Sequence, residues 1–222
     1  MVEWPPVRPA ATIGAMGYGG WAQQAREDEA ARFGTEAFYA ALGRAFVTMC
    51  AIVPALFLIE AIDVALGPGT LDVAGGIIPR HVGGLDGVLF SPFLHADWEH
   101  LYGNAVPLIL LGTFVLAGGV RRFIWSTVLI MAVSGLGVWF IGDPRSVVVG
   151  ASGVIFGYLG LLLTRGLVER SWWNFGVAVF IGLLYWYQLY GILPTDARVS
   201  WQGHLLGLVG GALAAVLFRR RR

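Results

Sequence analysis

Lysine is absent from this chain and cysteine occurs only once, and the cysteine count excludes several kinds of site. The single cysteine, Cys50, has no partner for an internal disulfide and cannot supply the CxxC pair of a redox or zinc motif. All 15 basic residues are arginine, and the net charge at neutral pH is only +1. A balance so close to neutral gives no reason to expect a basic nucleic-acid-binding surface, so we predict no nucleic-acid partner.

Charge of either sign is scarce, whereas apolar residues are abundant. Charged residues make up 13% of the chain and apolar residues 57%, with a mean hydropathy of +0.70. This composition is typical of a polytopic membrane protein. The chain contains six apolar segments, each close to the ~20 residues that cross a bilayer: residues 45–66, 98–117, 123–141, 147–164, 172–190 and 201–218. We therefore predict an all-α fold, a bundle of six transmembrane helices.

The arginines predict how this bundle lies in the membrane. Three of the 15, Arg80, Arg145 and Arg198, lie on one side of the predicted spans, and the other twelve lie on the opposite side. Because positive charge in short loops favours the cytoplasm, both termini are expected to be cytoplasmic.

The predicted domain organisation has three parts. Residues 1–43 form a polar cytoplasmic N-terminal segment, partly disordered or amphipathic, with no apolar run long enough for a signal peptide. Residues 44–218 form the six-helix transmembrane domain. Residues 219–222, all arginine, form a basic cytoplasmic tail.

Two acidic residues, Glu60 and Asp63, lie near the end of the first predicted span. Ionisable groups near a membrane can mark a proton or ion path. The interpretation we favour is that they lie at the outer interface, where they cap or solvate the helix end. The outer loop that follows, residues 67–94, is rich in apolar residues, and we expect it to pack on or dip into the outer leaflet.

A serine between two glycines begins the apolar part of the fourth span. Ser152 lies in Gly150-Ala151-Ser152-Gly153, directly after three valines. The first turn of a helix has unpaired N–H groups and the positive end of the helix dipole, so a negative oxygen forming beside Ser152 would be stabilised there. The alternative is that Gly153, Gly157 and Gly160 form a small-residue stripe for helix packing.

Histidine and asparagine side chains cluster where the second span begins. His100 and Asn104 are four residues apart and share a helix face, whereas His95 is expected in the preceding turn. Such side chains are costly in lipid and should face the protein interior or a water-filled cavity. The five-residue spacing of the two histidines is poor for a helical zinc site, so we predict no metal.

The last span carries the fourth histidine on a glycine-lined face. His204, Gly207 and Gly211 lie on one side of an ideal helix. If that face packs against the glycine stripe of the fourth span, His204 is brought up beside Ser152.

Depth in the membrane agrees with this pairing. Ser152 is 13 residues before Arg165, or ~20 Å along a helix, and His204 is 15 residues before Arg219, or ~22 Å. In a hydrocarbon layer ~30 Å thick, both side chains are therefore submerged at a similar depth below the outer surface.

Taken together, these residues resemble the rhomboid family of intramembrane serine proteases. The resemblance covers about residues 44–218 and is carried by Gly150-Ala151-Ser152-Gly153 with Phe156 and Gly157, by His95-x4-His100-x3-Asn104, and by His204-x2-Gly207-x3-Gly211. It implies that Ser152 is the nucleophile and His204 the general base. It also implies an oxyanion hole formed by His100, Asn104 and the Ser152 backbone N–H, with His95 close by.

Three further residues are expected to support this site: Gly150, Gly153 and Phe156. Some relatives have Tyr at the position of Phe156, so here the ring can stack on His204 but adds no hydroxyl. Many bacterial relatives carry a Trp-Arg pair in the first outer loop, and residues 67–94 have none, so loop stability or substrate gating is expected to differ.

The predicted activity is that of a serine endopeptidase with a Ser-His dyad, because no acidic residue has an obvious spacing to orient His204. Its substrates would be membrane proteins, cleaved in or near a transmembrane segment, and no cofactor is needed. The predicted location is the plasma (inner) membrane of a bacterium, so the lipid bilayer is the other partner.

Three other functions fit the sequence less well. A lipase or esterase would have Gly-x-Ser-x-Gly on a strand-to-helix turn, and here position 154 is Val. A transporter would usually have repeated halves or broken helices. A catalytically inactive rhomboid-like binder or chaperone of transmembrane helices is the remaining alternative, although such a protein would typically have lost Ser152 or His204.

Overall fold

The computed structural model describes residue 29 and residues 33–170, 172–194 and 199–219. The chain divides into two compact units, Met1–Ala41 and Leu42–Arg222. Most of the predicted N-terminal segment, residues 1–43, lies outside the described residues, as does the basic tail beyond Arg219.

In the first unit, Thr35 caps the start of a helix. Its hydroxyl accepts a hydrogen bond from the Phe38 N–H at 3.1 Å and donates one to the Glu29 carbonyl at 3.0 Å. A threonine that satisfies a free N–H of the first turn is a common helix start, and the helix begins at Glu36.

The helices confirm the all-α prediction. Three of them are long and apolar enough to cross a membrane: α1 (Glu36–Leu66), α4 (Trp98–Ala117) and α5 (Val120–Ile141). Three others are apolar but shorter, with 17, 13 and 17 residues: α6 (Ser152–Val168), α7 (Trp172–Leu184) and α8 (Trp201–Leu217). The count of six spans therefore stays a prediction.

The segment between α1 and α4 contains short helices. These are α2 (Thr70–Gly75), α3 (Gly87–Phe90) and two 3₁₀ turns, Val82–Gly84 and Ser91–Phe93. Ile77, buried in this segment, pairs with Val148 in an isolated antiparallel bridge, with both N···O distances at 2.9 Å. The bridge holds the segment against the chain just before α6.

Helix α6 is the centre of the bundle. Most of its side chains are buried, and it packs against α4, α5, α7 and α8. A helix that is apolar on all sides is stable only when surrounded, and here protein rather than lipid surrounds it.

Glycines join α6 and α8 along a close seam. A methyl group on Gly207 would overlap the Gly153 carbonyl, and one on Gly211 would overlap the Gly157 carbonyl. From the other side, a methyl group on Gly160 would overlap the Leu208 carbonyl. The predicted contact between the glycine face of the last span and the glycine stripe of the fourth is confirmed.

Three predicted span limits differ from the helices by at least five residues. The first helix begins at Glu36 rather than residue 45. The fourth begins at Ser152 rather than residue 147, because Val148 is extended in the bridge to Ile77 and Gly150 has φ +116°. The fifth ends at Leu184 and continues as a 3₁₀ helix over Trp186–Ile192.

The acidic end of α1 organises the turn that follows it. Asp63 accepts hydrogen bonds from the N–H groups of Gly69, at 2.7 Å, and Leu71, at 2.5 Å. The two N–H groups belong to the start of α2, so Asp63 caps α2 rather than the end of α1, where the capping was expected. Glu60, one turn earlier, is 3% exposed.

Candidate active site

Ser152 is the first residue of α6. The first hydrogen bond of the helix runs from the Ile155 N–H to the Ala151 carbonyl, and no side chain caps this helix start. The N–H groups of Ser152, Gly153 and Val154 therefore have no acceptor within the helix, and they lie at its positive end.

Gly150 shapes the turn that leads into Ser152. Its φ of +116° is open to glycine but strained for other residues, and its N–H donates to the Ser91 carbonyl at 2.9 Å. A methyl group on Gly150 would lie 2.6 Å from Cε1 and 2.7 Å from Nε2 of His100, and 3.5 Å from Nδ2 of Asn104. The missing side chain thus leaves room for two polar groups of α4 beside the turn.

Helix α4 presents those two groups through its N-terminal cap. The Asp97 side chain accepts a hydrogen bond from the His100 N–H at 2.8 Å, which fixes the first turn. One turn later, Asn104 is 6% exposed, and its Nδ2 has no hydrogen-bond partner among the described residues. An amide donor that is buried and unused is costly, so it is available to an oxygen that arrives with a substrate.

His95 precedes α4 and contacts His100. The two rings meet edge to face, with centroids 5.2 Å apart and planes at 70°. His95 is 2% exposed, and within the described part of the chain neither ring nitrogen has a hydrogen-bond partner. His95 therefore packs directly against the ring of His100.

His204 is held from two sides near the start of α8. Its ring stacks on Phe156, with centroids 4.1 Å apart and planes at 10°. Its Nδ1 lies 3.0 Å from the Gly191 carbonyl, and because a carbonyl can only accept, Nδ1 carries the proton. Nε2 is then the basic nitrogen of the ring.

Phe156 also relates His204 to Ser152. Ser152 and Phe156 are four residues apart on α6 and share a face, so His204 lies over the face that carries the hydroxyl. Within the described residues the Ser152 hydroxyl makes no hydrogen bond, including none to His204. Catalytic hydrogen bonds are often long without substrate and shorten in the substrate complex.

Ser134 of α5 was not identified from the sequence as part of the site. Its hydroxyl donates to the Gly203 carbonyl at 2.8 Å, and a methyl group on Gly153 would lie 2.5 Å from it. Ser134 therefore joins α5 to the start of α8 directly beside Ser152. Its signal in the sequence was a serine within an apolar span, a residue type that often bonds between helices.

Gly191 was also missed. It lies in the 3₁₀ helix between α7 and α8, and it contributes a backbone carbonyl rather than a side chain. A methyl group there would lie 2.9 Å from Nδ1 of His204.

A pocket reaches Ser152 from the side of α5. Its lining includes four serines, Ser91, Ser134, Ser152 and Ser200, together with apolar side chains such as Val88 and Val138. His100, Asn104 and His204 do not line it. Polar groups in a pocket can hold water, so this pocket can bring water to Ser152.

Sequence comparisons match the region that contains these residues. A rhomboid domain matches residues 83–221, more than half of the chain, and that region contains every predicted site residue. The chain is 42% identical over 178 residues to an uncharacterized protein of Mycobacterium tuberculosis (strain ATCC 25618 / H37Rv), which covers 77% of this chain and 73% of the relative.

Two more distant relatives carry rhomboid names. Rhomboid-like protease 5 of Toxoplasma gondii is 29% identical over 141 residues, which is 60% of this chain and 16% of that protein. Rhomboid-like protein 11, chloroplastic, of Arabidopsis thaliana is 33% identical over 83 residues, which is 37% of this chain and 29% of that protein. The membrane-length helices and the mycobacterial relatives together indicate a multi-pass bacterial membrane protein.

Proposed function

Because the chain belongs to the rhomboid family, we propose that it is an intramembrane serine endopeptidase, which cleaves peptide bonds in or near transmembrane segments of other membrane proteins. The observation that carries the proposal is the placement of His204. Its ring stacks on Phe156, one helical turn after Ser152, while the Gly191 carbonyl holds the proton on Nδ1. A base oriented in this way is what a serine nucleophile requires.

In the proposed reaction, Nε2 of His204 takes the hydroxyl proton as Oγ of Ser152 attacks the substrate carbonyl carbon. The tetrahedral intermediate then collapses, and the imidazolium gives its proton to the leaving amine. The remaining acyl ester on Ser152 is hydrolysed by a water molecule that His204 activates in the same way.

The oxyanion would be stabilised at the start of α6. Free N–H groups of the first turn, including that of Ser152, lie at the positive helix end. His100 and Asn104 flank the same turn at Gly150, and the unused Nδ2 of Asn104 is a ready donor. Donors fixed before the reaction cost no reorganisation when the negative charge forms.

The substrate must present an exposed carbonyl within the membrane. A transmembrane helix hides its carbonyls in hydrogen bonds, so the substrate has to unwind locally before Ser152 can attack. Helix-breaking or small residues near the outer end of the substrate helix should therefore favour cleavage. The reaction needs no cofactor or metal.

The orientation is part of the proposal. The chain would cross the bacterial plasma membrane with both termini in the cytoplasm, so Ser152 and His204 open toward the outer side. The bilayer and membrane proteins with a transmembrane segment are then its partners.

The test is proteolysis in reconstituted liposomes. A single-span reporter protein is incubated with the wild type, Ser152→Ala or His204→Ala, and only the wild type is expected to cleave it. Equal cleavage by all three would contradict the proposal. Binding of the reporter without cleavage by the wild type would favour an inactive binder of transmembrane helices.

Asn104→Ala tests the oxyanion site separately. Losing one such donor typically costs on the order of 100- to 1000-fold in rate, so kcat should fall by about that factor while the fold is retained. An unchanged kcat would remove Asn104 from the oxyanion hole.

A further inference from the structure

The peptide group that joins Gly203 to His204 is held at both of its polar atoms. Its N–H, which belongs to His204, donates to the Ser200 carbonyl at 3.1 Å. Its carbonyl, which belongs to Gly203, accepts a hydrogen bond from the Ser134 hydroxyl at 2.8 Å. Because a peptide group is planar, these two bonds fix the plane that ends at the Cα atom of His204. The direction in which the imidazole leaves the backbone therefore depends on this peptide group.

The two hydrogen bonds differ in what they connect. Ser200 caps α8 itself, and its hydroxyl also accepts from the Gly203 N–H at 3.3 Å, so these bonds move with the helix. Ser134 belongs to α5, so its bond runs between two helices. A serine hydroxyl is a common link of this kind between transmembrane helices. Of the two bonds, it is the one from Ser134 that ties the peptide group to the rest of the bundle.

Ser134 also lies against the start of α6. A methyl group on Gly153 would lie 2.5 Å from the Ser134 hydroxyl oxygen and 3.6 Å from the Gly203 carbonyl oxygen. Gly153 directly follows Ser152, just as Gly203 directly precedes His204. The Ser134 side chain is buried there, where water competes little for its hydrogen bond. Three helices therefore meet at this hydroxyl, between the two residues of the proposed dyad.

We propose that Ser134 is a positioning residue, whose hydrogen bond to Gly203 sets the place of His204 relative to Ser152. The inference rests on the proposed function, in which Nε2 of His204 takes the Ser152 proton. Ser134 acts through the backbone and does not itself transfer a proton. Misplacing a catalytic group by about 1 Å can cost on the order of 100-fold in rate, so a bond that restrains the base matters for turnover.

The first test is proteolysis in liposomes by Ser134→Ala, which removes the hydroxyl and keeps the rest of the side chain. A net hydrogen bond corresponds to a factor of about three to ten, so kcat should fall by about that factor. KM should stay within about twofold of the wild type, because the base moves while the surfaces that hold the substrate remain. An unchanged kcat in Ser134→Ala, measured beside an active wild type, would overturn this inference and leave the proposed function intact.

Thr127→Val is the matched control. Thr127 also lies on α5, about 10 Å along the helix from Ser134, and its hydroxyl is 2.8 Å from the Tyr158 hydroxyl of α6. The variant therefore removes a second hydrogen bond between helices, but one that does not touch α8. It should lower Tm about as much as Ser134→Ala and leave kcat per folded protein unchanged. Equal losses of kcat in the two variants would mean a general loss of stability and would overturn the positioning role.

Ser134→Cys covers the case in which Ser134→Ala does not fold. A thiol is a weak donor of similar shape, so part of the hydrogen bond is kept and kcat should lie between the wild type and Ser134→Ala. Full wild-type kcat in Ser134→Cys would contradict a requirement for the hydroxyl.

The position of His204 can also be followed without proteolysis. In histidine-labelled protein in detergent, the Nδ1–H proton that bonds to the Gly191 carbonyl gives an NMR signal, which is assigned by its loss in His204→Ala. Ser134→Ala should shift this signal and Thr127→Val should not. An unshifted signal in Ser134→Ala would overturn the positioning role. If the wild type cleaves no reporter but the signal shifts as expected, only the protease proposal is lost.

Discussion

The ring of Phe156 lies flat against the ring of His204, at a centroid distance of 4.1 Å. Two elements meet in this contact, because Phe156 belongs to α6 and His204 to α8. The stack limits rotation of the imidazole about its own bonds, and the hydrogen bond to Gly191 limits tilting. His204 is thus held in place before any substrate arrives.

Replacing Phe156 should therefore let the His204 ring move more freely. An aromatic pair contributes about 0.5–1.5 kcal/mol beyond buried area, so Phe156→Leu should lower kcat about two- to tenfold while Ser152 stays reactive. The measurement is liposome proteolysis together with labelling of Ser152 by a fluorophosphonate. Phe140→Leu, the same change at an exposed position of α5, is the control and should leave kcat unchanged. Equal kcat values for all three proteins would contradict a role for the stack.

A methyl group at Gly150 should disturb the oxyanion site. Gly150→Ala would press on the His100 ring at 2.6 Å, so we expect a loss of activity of about 100-fold, similar to the loss of one donor. Gly119→Ala is a close control, since Gly119 has nearly the same φ, +115°, but nothing within 4 Å of the added methyl group. Both variants carry backbone strain of about 1–3 kcal/mol, so kcat per folded protein is compared. Equal losses would assign the effect to strain alone.

The seam between α6 and α8 should not tolerate added bulk. Gly211→Ala places a methyl group on the Gly157 carbonyl, and backbone must move to admit it. Overpacking of this kind typically lowers the free energy of unfolding by about 1–3 kcal/mol. Since each kcal/mol lost lowers Tm by roughly 2–4 °C, Tm should fall by several degrees. Gly176→Ala in α7, with no atom within 4 Å of its added methyl group, should leave Tm unchanged or raise it slightly. A Gly211→Ala protein as stable as the wild type would contradict the close approach.

Asp72 should make stability depend on pH. Burial, and then the nearby Asp63, raise its pKa from 3.8 to about 6, and its buried Oδ1 has no hydrogen-bond partner among the described residues. Because the folded pKa is the higher one, the contribution of Asp72 to stability is full below about pH 4 and is lost as the pH rises through 6. Asp72→Asn, which resembles the protonated form, should match the wild type near pH 4 and have a higher Tm at pH 8.

Thermal unfolding at both pH values checks this, with Glu99→Gln as the control. Glu99 is an exposed carboxylate in the first turn of α4. Its replacement should not produce a gain in Tm confined to high pH. The same Tm difference between Asp72→Asn and wild type at both pH values would contradict the titration of Asp72.

The contact between α6 and α8 could be predicted from the sequence, because its glycines recur at helical spacing. The spacing of Gly207 and Gly211 after His204 placed them on one face, and the glycines of α6 supplied the complementary face. Because the glycine faces of the two helices must meet, α6 and α8 can align in few registers. The approach of His204 to the face of α6 that carries Ser152 therefore followed from local periodicity.

The features that could not be predicted from the sequence depend on backbone segments outside the α-helices. The carbonyl of Gly191 reaches His204 only because the predicted fifth span ends early and turns into a 3₁₀ helix. The positive φ of Gly150 likewise depends on its bond to Ser91, 59 positions earlier in the chain. No periodic pattern encodes such contacts, since every residue type offers the same carbonyl and all except proline offer the same N–H group.

The acceptor that orients His204 is therefore common to all twenty amino acids. Substitution at position 191 can crowd the imidazole but can never delete its acceptor. An alanine scan of the acidic residues, the usual search for a third member of a serine protease triad, would pass over this contact entirely. Only a change in the path of the main chain could remove it, whereas an ester in place of the amide after Gly191 would weaken the carbonyl as an acceptor without deleting it.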